Sequence, residues 1–169
     1  MRFSIDTSHK LTRAILWIMM VFYMAILTKL ILFKRPFGYL KRHFAKLSHH
    51  YSWESTKANM NNGNLNLKPF ATIKMYLTAN MNAEYAISNL MGNIAGFIPL
   101  GILLPLLFVK LRSAMSTILL VLLASLCFEI FQLLGMVGVC DVDDLILNTL
   151  GGAIGYCIFL LMNKIFVIK

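Results

Sequence analysis

Apolar residues dominate four long stretches of the chain, about Leu11 to Phe33, Ala86 to Val109, Ala114 to Leu134 and Asp144 to Val167. Each is close to the roughly 20 residues that a helix needs to cross a bilayer. In the last three, the few polar residues recur three or four positions apart, which is the repeat of one helix face. The pattern predicts an all-α membrane protein: a bundle of about four transmembrane helices with one long extramembrane or interfacial loop between the first and second. Residues 1–10 are expected to form a cytoplasmic N-terminus, 11–33 a signal-anchor helix, 34–85 the long loop and 86–167 a three-helix core. The first stretch is too long for a cleaved signal peptide, and no small-x-small site follows it. Lys29 lies near its end, where its head can reach the headgroups.

The long loop has signals of its own. Tyr39 to His50 mixes aromatics with Lys41, Arg42 and Lys46, as suits a short helix lying in the interface. Asn61-Asn62-Gly63-Asn64 reads as a turn. Asn66-Leu67-Lys68-Pro69-Phe70 and the semi-apolar Ala71 to Leu77 follow. This segment either dips into the membrane surface or is an ordinary surface loop.

The polar positions inside the spans carry the functional signal. They are Asn89, Asn93 and Gly96 in the second span, Ser125, Glu129 and Gln132 in the third, and Asp144, Asn148 and Gly151 in the fourth. The second and fourth spans begin with their stripes and the third ends with its stripe. Neighbouring spans run antiparallel, so all three stripes meet at one membrane face, where Asp141 and Asp143 join them from the turn. Four of the seven acidic residues gather there. A charged carboxylate at a helix centre costs about 2.5–3.5 kcal/mol on insertion scales, so Glu129 must face a partner, water or the bundle interior. Gln132, Asn93 and Asn148 are its candidate partners, and its carboxyl is a candidate acid/base if the protein is an enzyme. Simple helix glue is the alternative for these stripes: polar bonds between membrane helices contribute about 0.6 kcal/mol each. That reading is favoured for Asn89 and Ser125. The small-xxx-small pairs Gly92/Gly96 and Gly151/Gly155 permit close helix contact. Pro99 and Pro105 bracket Gly101 and predict a bend, either static or widening the outer end.

Composition changes this picture little. The chain has 169 residues, 59% of them apolar, and a mean hydropathy of +0.72. Its net charge of +9 fits Lys and Arg flanking membrane spans near anionic lipid, and no nucleic acid partner is expected. Cys127, Cys140 and Cys157 form no CxxC pair and imply neither a disulfide framework nor a zinc site. His49-His50 has no ligand partners at metal spacing. No cofactor and no metal are expected.

Several segments together resemble the VanZ-like family. Asn89-Leu-Met-Gly-Asn93-Ile-Ala-Gly-Phe97-Ile-Pro99-Leu-Gly101 is similar to its N-x-x-x-N-x-x-x-F-x-P-x-G segment. Phe128-Glu129-Ile-Phe-Gln132 resembles F-E-x-x-Q, and Asp141-Val-Asp-Asp144-Leu-Ile-Leu-Asn148-Thr-Leu-Gly151 resembles D-x-x-D-x-x-x-N-x-x-G. Asn66-Leu67-Lys68-Pro69-Phe70 matches N-L-x-P-F. The resemblance covers about residues 64–160 in the family's order. Many members carry an Arg three residues before the first Asp of the last motif, where this chain has Gly138; Lys68 or another loop cation would have to replace it. The resemblance implies a bacterial cell-membrane protein, since the founding member is associated with low-level resistance to the glycopeptide teicoplanin.

The expected function is therefore modulation of susceptibility to glycopeptide or lipoglycopeptide antibiotics through an outward-facing polar pocket. Asn66, Pro69, Phe70, Asn89, Asn93, Gln132, Asp141, Asp144 and Asn148 are its candidate binding residues. Membrane lipids, a lipoglycopeptide or a lipid-linked envelope precursor are the expected partners. One alternative is an envelope enzyme acting on a lipid or lipid-linked cell-wall precursor, with Glu129 as acid/base and Asp141 and Asp144 orienting it or binding a divalent cation. The other is a structural or partner-binding membrane subunit. Lys110 and Arg112 in the tight turn between the second and third spans place that turn, and both termini, in the cytoplasm. Lys34, Arg35, Lys41, Arg42 and Lys46 oppose this arrangement. Alkaline phosphatase fused in the acidic turn, Gly135 to Asp143, is expected to be active; activity of a cytoplasm-only reporter there instead would reverse the orientation.

Overall fold

The structure is a computed structural model, and it describes residues 4–5, 7, 9–32, 52–78, 83–135 and 137–168. Among the described residues, four helices are long and apolar enough to cross a membrane: α1 (Lys10–Leu32), α4 (Ala83–Leu107), α5 (Ala114–Leu134) and α6 (Val142–Ile165). Among the described residues between α1 and α4 are two short α-helices, α2 (Trp53–Asn59) and α3 (Ala71–Thr78). The interfacial helix expected over Tyr39 to His50 falls outside the described residues. The described residues also include four two-residue strands: β1 (Ser4–Ile5), β2 (Leu65–Asn66), β3 (Cys140–Asp141) and β4 (Val167–Ile168). β1 pairs in parallel with β4, so the two ends of the chain meet at one end of the bundle. β2 pairs in parallel with β3, tying the segment before α3 to the turn before α6.

Local chemistry sets the helix starts. Ser113 caps α5, its Oγ accepting from the Ser116 N–H at 3.1 Å. Ser52 and Ser55 form a reciprocal capping box on α2. The Asn-rich turn falls where the sequence places it, and Gly63 there has φ +84°, a left-handed conformation that glycine adopts without a Cβ clash.

The bundle is organised around α4 and α6, whose backbones touch. A Cβ on Gly151 would lie 2.0 Å from the Ile94 carbonyl oxygen, one on Gly155 2.1 Å from that of Ile98, and one on Gly101 2.1 Å from that of Gly152. Glycine thus lets the two backbones approach more closely than any side chain would permit. The seam corrects one expected pair: Gly92 meets nothing within 4 Å and Gly96 faces only Leu27, so the α4 glycine in the seam is Gly101, packed on Gly152 and beside Gly155. α5 covers the other side of α6, with Val121 filling the space above Gly152. Phe97 of α4 and Phe128 of α5 stack edge to face at 6.3 Å. α1 lies more loosely on this trio. It buries Met20 and Leu27, and its Tyr23 hydroxyl donates to the Gly96 carbonyl at 2.7 Å. Its outward residues, such as Ile18 and Phe22, remain exposed, as a lipid-facing surface should.

α4 runs unbroken through Pro99 and Pro105. Both lie in its second half, away from the polar stripe.

Gly155→Leu should force α4 and α6 apart and cost about 1–3 kcal/mol or more, seen as a lower melting temperature in detergent. Gly92→Ala, with open space around it, should be neutral or slightly stabilising by helix propensity.

Candidate functional site

The polar end is held together from its acids outward. Asp143 is fully buried, with 0% exposure. One of its oxygens accepts the Phe70 N–H at 2.5 Å. The other accepts the N–H groups of Thr72 at 2.8 Å and Ile73 at 3.0 Å. These are first-turn donors of α3, which an α-helix leaves unpaired by its own hydrogen bonding. No Ser, Thr, Asp or Asn stands at Phe70, the position preceding α3, so a carboxylate from α6 caps the helix across the bundle. The negative charge also meets the positive end of the α3 dipole. Phe70 is held at φ +63°, unusual for a residue with a Cβ.

Asp141 performs the equivalent task on its own helix. Its Oδ1 accepts the Asp143 N–H at 2.9 Å, capping α6. The same oxygen accepts the Asn66 amide at 3.1 Å, and Oδ2 accepts the Thr72 hydroxyl at 2.5 Å. Asn66 also donates to Thr72 Oγ1 at 2.9 Å, and its Oδ1 accepts the Lys68 N–H at 3.1 Å. The Asn66 to Leu77 segment is docked on the acidic turn through Asn66, Thr72 and the backbone. Pro69 sits exposed in the bend and Phe70 is exposed beside it. Neither side chain reaches the cleft described next.

Glu129 is 1% exposed, and its Oε2 accepts the Asp141 N–H at 2.8 Å. The three amides expected to partner it donate elsewhere. Asn93 donates to Asp144, Asn148 to Ser125 Oγ at 2.8 Å and Gln132 Nε2 to the Ile31 carbonyl at 3.1 Å. The α6 stripe thus serves two purposes. Asn148 and Ser125 tie α5 to α6 in the buried interior, while Asp144 pairs with α4. Asn89 donates to the Tyr85 carbonyl of its own helix at 2.8 Å rather than to a neighbouring one.

Beside this network a cleft of about 410 Å³ opens between α3, α4, the end of α5 and the start of α6. Asn89, Asn93, Gln132, Asp141 and Asp144 border it, with Thr72, Tyr76, Tyr85 and Gly138. Asn89 and Asn93 also border a groove of about 250 Å³ between α1 and α4, whose other walls include Leu27, Leu30, Ile31, Gly92 and Phe97. A polar cleft and a mainly apolar groove therefore adjoin, with Asn89 and Asn93 as their shared border. Glu129 and Asn148 border neither, and neither do Pro99 and Pro105. Among the described residues, no three His, Cys, Asp or Glu side chains come together as a metal site.

Asp143, Thr72, Tyr76 and Tyr85 were not among the candidates drawn from the sequence. One signal for Asp143 was there: α3 begins without a local cap, so its first N–H groups needed an acceptor from elsewhere. At Gly138, a Cβ would lie 3.2 Å from the Gln132 side chain, so any larger residue there must displace Gln132. Asp143→Ala should leave three donors unpaired and cost at least about 2 kcal/mol. Hydrogen–deuterium exchange should then quicken across residues 70–73 while the four long helices keep their protection.

The VanZ/LLP1 family model matches residues 20–163. Protein VanZ of Enterococcus faecium is 36% identical over 106 residues, which is 63% of this chain and 58% of that protein. The chain thus spans little more than half the length of that relative. No solved structure matches. With the family match running from within α1 almost to the end of α6, and four apolar helices of membrane-spanning length, the chain is a multi-pass membrane protein that belongs to the VanZ/LLP1 family.

Proposed function

We propose that this protein lowers susceptibility to glycopeptide and lipoglycopeptide antibiotics such as teicoplanin by holding an amphiphile at the outer face of the membrane. The observation that carries the reading is that the polar cleft and the apolar groove adjoin, with Asn89 and Asn93 lining both. An amphiphile needs such a pair of surfaces: hydrogen-bonding groups for its head and an adjoining apolar wall for its chain, where burial contributes about 25 cal/mol per Å². The outward placement rests on the basic turn at Lys110 and Arg112, which lies at the other end of the bundle.

Binding suits this site better than turnover. An acid/base must come within hydrogen-bond reach of the group it protonates. Glu129 instead holds the Asp141 backbone and does not border the cleft. Asp141 and Asp143 likewise direct their oxygens to donors within the protein.

Expression in a teicoplanin-sensitive host should raise the inhibitory concentration. Gly92→Phe should abolish that protection at normal protein level, because Gly92 lines the groove and open space lies where its side chain would grow. No protection by the wild type, or full protection by the variant, would count against the proposal.

A further inference from the structure

The segment docked on the acidic turn has a second, outward face. On α3, Thr72, Ile73 and Tyr76 are half-buried, whereas Lys74, Met75, Leu77 and Thr78 are exposed. Leu77 is 72% exposed, and Leu67 and Phe70, on the approach to the helix, are 67% and 61% exposed. Exposed apolar side chains on the flanks of the spans face lipid and need no other partner. These three belong instead to a segment between spans.

The depth of α3 follows from what holds it. Its first N–H groups bond to Asp143, in the first turn of α6. One turn further on, Tyr76 meets Tyr85 edge to face at 6.2 Å, next to Glu84 in the first turn of α4. α4 has 25 residues and α6 has 24. Each is about 36 Å long, against about 30 Å of hydrocarbon. Their first turns carry Glu84, Asp143 and Asp144, and charged side chains belong at the ends of a span rather than in its hydrocarbon part. Both first turns therefore stand at headgroup level, and α3, tied to each of them, lies along that level.

The backbone aims Phe70 away from the bundle. Its φ of +63° is costly for a residue with a Cβ, and its exposed ring gains little packing in return. Asp143 holds this conformation by accepting the Phe70 N–H at 2.5 Å. Lys68 and Lys74 are exposed beside the apolar side chains. Such lysines lay their stems on apolar surface and extend their ammonium groups to phosphates.

We propose that Leu67, Phe70 and Leu77 are buried in the lipid leaflet on this side of the membrane, with the Lys68 and Lys74 ammonium groups at its phosphates. Lipid is the occupant because the face adjoins the lipid-facing surface of α4, where Ile87 and Met91 are exposed. It also pairs apolar side chains with cations, as a phospholipid interface requires. α3 supplies Thr72 and Tyr76 to the wall of the cleft, so this anchor seats that wall at headgroup depth, whatever the cleft holds.

The test attaches a nitroxide to Phe70→Cys or Leu77→Cys in the full chain carrying Cys127→Ala, Cys140→Ala and Cys157→Ala, reconstituted in liposomes of phosphatidylcholine and phosphatidylglycerol. Collisions with oxygen, which concentrates in lipid, and with a nickel chelate, which stays in water, give the depth of each label. Phospholipids labelled at the headgroup and along the chain calibrate the scale. Both labels should lie about 5–10 Å below the phosphates, shallower than a label at Leu123→Cys in the middle of α5. Free access of the chelate to either position would place this face in water and overturn the proposal. Shielding from both reagents would mean that protein covers the face, as a second copy of the chain would, and overturns it equally. Thermal melting and slow hydrogen exchange at residues 70–73 check that α3 stays docked in each variant. Should Phe70→Cys fail to fold, Leu67→Cys reads the same end of the segment.

Discussion

The contact between α4 and α6 is the constraint from which the rest of this bundle follows. Lipid chains are as apolar as the helix surfaces, so burying Leu against Leu gives little drive for association inside a membrane. Close backbone approach, with its dense van der Waals contact, supplies it instead. Gly101, Gly151 and Gly155 place backbone where their side chains would have been, against Gly152, Ile94 and Ile98. That seam sets the rotation of each helix about its axis. Once it is set, Asn93 of α4 faces Asp144 of α6, and Asn148 turns to Ser125 of α5.

The same end of the bundle accommodates several acids without a basic side chain lining the cleft among the described residues, and it does so by giving them different work. Asp143 caps α3, Asp141 caps α6 and receives Asn66 and Thr72, and Glu129 receives the Asp141 N–H. Helix N-termini present fixed partial positive charge and unpaired donors. Two such termini, of α3 and α6, converge here and stabilise carboxylates that would be costly elsewhere in a membrane. The β2–β3 pairing holds the two segments in register while they do so.

This division of labour separates scaffold from opening. Glu129, Asp143 and Asn148 are buried in the network, whereas Asn89, Asn93, Gln132 and Asp144 border the cleft. The cleft adjoins a groove beside the loosely packed α1, and the proposed amphiphile site rests on that pairing of surfaces. Membership of the VanZ/LLP1 family is consistent with an envelope role.

Hydropathy and helical period were sufficient to find the four spans within about three residues and to bring the three polar stripes to one end. Both are properties of a chain in contact with lipid, and both are written locally in the order of residues. Which polar groups bond to each other was not readable in the same way. The amides expected around Glu129 bond elsewhere, and Asp143 caps a helix some seventy positions earlier in the chain. Such partnerships depend on the rotation and depth of each helix, which the glycine seam decides across α4 and α6. The sequence by itself determined that this is a multi-spanning bundle with a polar end; only the tertiary structure decided which polar residues hold that end together and which border its cleft.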